Sequence, residues 1–106
     1  MKKSLVTATL FAVVAFALSA QADTAGKIDA KAEFDKHCAV CHPSGGNIIN
    51  KAKPLTKEAR TTNGIKSWKD IVAKMRNPGP GMTKFDKTTI SDKEAKAIAD
   101  YILKTF

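Results

Sequence analysis

With 106 residues the chain has room for one small domain, and its 18 basic against 10 acidic residues give a formal net charge of +8 at neutral pH. Such a charge admits nucleic acid as a partner, but no aromatic-studded basic stripe or nucleic-acid-reading motif is present, so none is expected. The apolar content of 43 % overstates the core, because much of it lies in the run Leu5 to Leu18.

That run follows Met1-Lys2-Lys3 and precedes Ala20-Gln21-Ala22, which together have the form of a secretory signal peptide with a small-residue cleavage site. Residues 1–22 are expected to be removed, leaving residues 23–106 as a single domain with no stable membrane insertion. The competing reading, an uncleaved anchor from Leu5 to Ala22, is opposed by the A-x-A site. A domain this small struggles to bury enough surface and commonly needs a staple.

Asp29 can cap a first helix in which Ala30, Phe34 and Cys38 recur at i, i+4 and i+8. That helix delivers Cys38-Ala39-Val40-Cys41-His42. Cys-x-x-Cys-His is the spacing at which haem is attached covalently: on one helical turn the two thiols meet the two vinyl groups of one porphyrin, and His42 falls beneath the iron as proximal ligand. A zinc site would need further Cys or His ligands, and the only other histidine, His37, directly precedes Cys38 and is expected to point elsewhere. A plain or redox-active disulfide between Cys38 and Cys41 is the main rival, though no βαβ pattern surrounds it. A covalent haem would act as both core and crosslink.

Pro43-Ser44-Gly45-Gly46-Asn47 stops the first helix, and an irregular loop with the apolar pair Ile48-Ile49 is expected over the haem. Thr56 can cap a short helix that ends at Asn63-Gly64. Ser67 with Asp70 starts the next, where Trp68, Ile71, Val72 and Met75 form a helical stripe terminated by Asn77-Pro78. Pro78-Gly79-Pro80-Gly81-Met82 cannot be the interior of a helix or strand. Ser91-Asp92-Lys93-Glu94 is a capping box, and Ala95, Ile98 and Ile102 share one face of a last helix reaching nearly to Phe106, with Tyr101 alongside. No segment alternates at period two and no repeat appears, so the expected fold is all-α, about four short helices and loops wrapped around one haem.

The iron's sixth position separates electron transfer from chemistry on a bound gas or peroxide. Met75 fits the apolar stripe of its helix, where methionine is more often packing than ligand. Met82 lies in a stiff Pro/Gly-bounded loop that can hold a thioether at little entropic cost, and it is the preferred distal ligand. An open or histidine-ligated iron is the remaining alternative.

With these residues placed, the mature domain resembles the small monohaem class I cytochromes c, and within them the cytochrome c6-like carriers. The resemblance runs through Cys38 to His42, Gly45-Gly46-Asn47, Lys53-x-Leu55, Asn63-Gly64, Ile71, and Asn77 ahead of Met82 and Phe85. It implies one haem c bound through Cys38 and Cys41, with His42 proximal and Met82 distal. It further implies an exported monomer, in a periplasm or an equivalent such as a thylakoid lumen, that is no enzyme and carries single electrons between larger redox proteins. The alternative is a haem sensor or minor peroxidase with a labile sixth ligand, which would need a distal acid–base residue. Ala30 stands where the family usually has glycine, which implies a wider crossing against Tyr101, and Thr83 where a proline commonly follows the methionine. The loop before Ser91 is also slightly longer, and these departures bear on the strength of the Met82 bond. Trp68 can reach a haem propionate through its indole N–H or serve as half-buried packing. Lys51, Lys53, Lys66, Lys69, Lys84 and Lys87 are expected to ring the haem edge and steer an acidic partner, against the alternative of an even solubilising spread.

Overall fold

The structure, a computed structural model, describes residues 27–106. The expected signal peptide and its cleavage site lie outside the described residues. Four helices follow one another: α1 (Ala30–His37), α2 (Lys57–Thr62), α3 (Trp68–Arg76) and α4 (Asp92–Thr105), with a single 3-10 turn at Pro43–Gly45 and no strand among the described residues. This is the all-α arrangement that the periodicity calls for.

Each helix begins where a side chain can satisfy its free N–H groups. Asp29 accepts from the Ala32 N–H at 3.0 Å, and Thr56 from the Ala59 N–H at 3.4 Å. Asp70 reaches back to the N–H groups of Lys66 and Ser67, while Ser91 and Glu94 bond each other's backbone reciprocally. The first helix is shorter than its pattern implies. It ends at His37, because the N–H groups of both Cys38 and Ala39 converge on the Phe34 carbonyl at 2.8 and 3.0 Å. The haem-type motif therefore lies in the turn that leaves α1 and not on one helical turn, although the His42 N–H still returns to the Cys38 carbonyl at 2.8 Å.

Helix α4 is the element on which α1 and α3 both pack. Its Ala95, Ile98, Ala99 and Ile102 are all buried, joined by Ile71 and Met75 of α3 and by Ile90. From α1, Phe34 is 2 % exposed and lies with its ring centroid 5.4 Å from that of Tyr101 and 5.5 Å from that of Phe106. Arg76, at the end of α3, ties the following loop down: it donates to the carbonyls of Phe85 (3.1 Å) and Ile90 (2.8 Å) and pairs with Asp92 (2.9 Å) at the start of α4. Gly45 closes the other side of the domain. Its φ is +78°, and a Cβ there would lie 2.5 Å from the Phe106 ring, so the position demands glycine on both conformational and spatial grounds.

Two expectations follow from these contacts. Gly45→Ala should cost about 1–3 kcal/mol, read by thermal melting, and Phe106→Ala should relieve only the clash and not the strained φ. The backbone N–H groups of Lys66 and Ser67 hold the Asp70 carboxyl below its ordinary value of 3.8. A lowered carboxylate contributes stability that is present above its unfolded value and lost as pH falls through the folded one. Asp70→Asn should therefore melt earlier than the parent at neutral pH, and the two should converge in strong acid.

Candidate functional site

The turn after α1, the loop after the 3-10 turn, α2, α3 and the Pro/Gly loop before Phe85 together enclose a cavity of about 500 Å³. Cys38, Cys41, His42 and Met82 all line it. Cys38 and His42 are buried and Cys41 is half-buried, and no disulfide joins the two cysteines. In the chain without an attached group, burial pushes the Cys38 thiol up to about 11.

His42 is held by its own loop. Its Nδ1 lies 2.7 Å from the Gly46 carbonyl, which can only accept, so Nδ1 carries a proton and, in the neutral imidazole, Nε2 is the nitrogen with the free lone pair. That is the tautomer a metal requires. The loop is in turn fixed by Asn47, whose Oδ1 accepts from the N–H groups of Ile49 and Asn50 while its amide donates to the Lys53 carbonyl. Leu55 N–H closes the segment on Gly45 O at 2.7 Å.

Met82 sits half-exposed in the loop that follows α3. Phe85 N–H bonds the Met75 carbonyl at 2.8 Å, which turns the loop back over the cavity. At Gly81, with φ +87°, a Cβ would lie 2.8 Å from Cγ2 of Ile49, so this loop is seated directly on the one that follows the histidine. Met75 also lines the cavity, but it is buried within the core cluster of α3 and α4, as its helical stripe implies.

Several side chains fall elsewhere than the sequence suggests. His37 does not point away: it lines the cavity, with Nε2 3.3 Å from Glu33 and its ring edge-on to Phe85. The helix ends at His37, so a one-residue offset from Cys38 does not place it on an opposite face. Trp68 does not line the cavity; it packs half-buried against the core beneath the Lys96 ammonium, which lies 5.1 Å from the ring centroid. Of the six lysines expected around the haem edge, Lys53 lines the cavity, while Lys87 is paired with Asp92 and Lys69 lies over Trp68. Lys74 and Arg60 also line it and carry no sequence signal, since both residue types are ordinarily surface groups.

The site suits a haem. Its walls are largely apolar, with Leu55, Ile65, Ile71 and Ile102 among them, and its volume is that of a pocket which encloses a sizeable ligand. Two cysteine sulfurs, an imidazole nitrogen and a thioether converge on it, and no Asp or Glu among the described residues lines it, as suits a cofactor that brings carboxylates of its own. Three apolar side chains remain exposed close to Cys41: Val40 at 74 %, and Ile48 and Ile49 at 60 % each, with Ile48 N–H bonded to the Cys41 carbonyl.

Residues 27–102 match the family model described as cytochrome c oxidase, cbb3-type, subunit III. Cytochrome c6 of Leptolyngbya boryana is 40 % identical over 84 residues, which is 79 % of this chain and 92 % of that protein. Among solved structures, the outer membrane cytochrome OmcF of Geobacter sulfurreducens superimposes with a TM-score of 0.70 at 40 % identity, covering 73 % of this chain and 98 % of that one. Cytochrome c6C of Synechococcus sp. PCC 7002 superimposes with a TM-score of 0.66 at 32 % identity, covering 71 % and 90 %. The chain therefore belongs to the monohaem class I cytochromes c, in their cytochrome c6-like branch, and carries one haem c attached covalently through Cys38 and Cys41.

Proposed function

We propose that this protein is an exported one-electron carrier between larger redox proteins, in which His42 and Met82 would hold the haem iron. The observation that carries this reading is the His42 imidazole, tied through Nδ1 to the Gly46 carbonyl so that Nε2 is the nitrogen left for a metal, on the same cavity wall as Met82. Haem bound in this way supplies a single-electron ferric/ferrous couple. The Gly46 carbonyl fixes the imidazole's orientation and raises its basicity. Met82, a soft donor that favours the reduced metal, is presented by a loop clamped on one side by Arg76 and on the other by the contact of Gly81 with Ile49. With His42 and Met82 both holding the iron there would be no place on it for a substrate, which makes the protein a carrier and not an enzyme.

The haem sensor or peroxidase alternative would need an acid–base group at the iron. His37 is the nearest in kind, but it is bound to Glu33 and braced against Phe85. Residues 1–22 as a cleaved signal peptide, and residues 23–106 as the working domain, fit a periplasm or a thylakoid lumen. Val40, Ile48 and Ile49 offer a small apolar contact around Cys41, Lys53 lines the same cavity as an exposed cation, and Lys84 is exposed two positions after Met82. An acidic partner would be steered to this face and released quickly, as a monomeric shuttle requires.

Met82→Ala should lower the midpoint potential, abolish the methionine–iron charge-transfer band and admit external imidazole. Met75→Ala should instead cost about 2–5 kcal/mol in stability by opening a cavity, with the band intact. Exchange of these two phenotypes would reverse the ligand assignment. With an acidic redox partner, the second-order rate should fall steeply as ionic strength rises, and Lys53→Glu should flatten that slope more than Lys104→Glu on α4. Equal flattening by the two variants in stopped-flow measurements would leave net charge, and no patch, as the cause.

A further inference from the structure

Arg60 is the one charged side chain of Lys, Arg, Asp or Glu type that is fully buried among the described residues, at 7 % exposure. Burying a guanidinium is costly unless it is both hydrogen-bonded and paired with an anion. Half of that requirement is met. Nη1 donates to the Leu55 carbonyl at 2.6 Å and to the Ile102 carbonyl at 3.4 Å. No carboxylate lies within ion-pair distance among the described residues, and Nε and Nη2 have no protein acceptor there.

The missing partner can be located by what surrounds the group. Arg60 lines the haem cavity, and both of its carbonyl acceptors belong to residues of that same wall. It also borders a shallower groove with Lys57 and Lys66, but neither Leu55 nor Ile102 reaches that groove. The other Lys, Arg, Asp or Glu side chains on the haem cavity are Lys53 and Lys74, both exposed and free to keep their ammonium groups in water. Among the described residues the cavity thus has one buried cation, two exposed ones and no acid.

We propose that Arg60 is the chain's dedicated counter-charge for the haem, using its Nε and Nη2 donors to bind a propionate carboxylate. This rests on the haem reading given above and adds to it a positioning and potential-setting residue from α2. The bond would keep that propionate ionised despite burial, since a guanidinium stays protonated at any working pH. The cation also disfavours the ferric iron relative to the ferrous, and so raises the midpoint potential.

Spectroelectrochemical titration of the holoprotein between about pH 5 and pH 8 tests this, a window in which a desolvated carboxyl would titrate. The parent's potential should show little dependence attributable to a propionate. Arg60→Gln should shift the ferrous-to-ferric ratio at fixed potential about tenfold toward ferric, about 59 mV for one electron. It should also introduce a fall in potential with rising pH as the unpaired propionate ionises. Arg60→Lys should recover most of the shift. A purely structural arginine, capping Leu55 and Ile102, would lower the melting temperature of Arg60→Gln while leaving its potential within a factor of two of the parent and no steeper with pH; that result overturns the proposal. So does a parent potential that responds to added inorganic phosphate when that of Arg60→Gln does not, since the guanidinium would then serve a solvent anion. Should the glutamine variant fail to accumulate, the ferrous parent decides by NMR: contacts between the Arg60 Nε proton and the propionate methylenes are expected, and their absence refutes the assignment. A colourless protein would sink the haem reading itself, whereas a red one with an unaltered Arg60→Gln potential sinks only this inference.

Discussion

The packing of Phe34 against Tyr101 and Phe106 governs how the rest of the chain can be arranged. It fixes α1 against the end of α4, and the two cysteines leave α1 only four and seven positions beyond that ring. The same Phe106 covers Gly45, so the loop behind His42 is held by the aromatic cluster that holds the helix before Cys38. Both ends of the haem-attachment segment are therefore anchored to one patch of α4. A domain of this size has few such anchors to spare, and it places them where a displacement would move the imidazole.

Away from that anchor the polypeptide closes its cavity with loops, each secured by polar contacts that do not depend on the cavity's contents. Asn47 organises the segment after His42, and Arg76 binds two carbonyls and a carboxylate around the segment after Met82. The hydrogen bonds are directed at backbone, which leaves the apolar side chains free to face inward. The electrostatics are lopsided. Acidic residues are distributed over the helix caps and the exposed i,i+4 pairs Lys31–Asp35 and Lys96–Asp100, and are kept off the cavity wall.

Much of this was legible in one dimension. Helix starts were readable because capping is a local matter: Asp29, Thr56, Ser67 with Asp70, and Ser91 with Glu94 each satisfy donors within four residues of themselves. The Cys38-x-x-Cys41-His42 spacing was equally self-contained. What could not be read depends on the path of the chain. The end of α1 at His37 follows from two N–H groups competing for the Phe34 carbonyl, and that small change of direction brings His37 onto the cavity wall. Trp68 had two readings that differ only in which neighbour lies opposite, and the neighbour is Lys96 from α4. Arg60 carried no signal at all, because its carbonyl acceptor at Ile102 is forty-two positions away.

The contact between Gly81 and Ile49 makes two distant stretches of sequence answerable to each other. Neither position contributes a ligand, yet the space at one is defined by the side chain at the other. Across descendants of this chain, position 49 can stay bulky only while position 81 stays glycine, and a gain of a side chain at 81 favours a smaller residue at 49 and a backbone that no longer needs the left-handed turn. The two loops would then drift as a unit. Divergence in redox behaviour between such descendants would be written in that pair as much as in the methionine beside it.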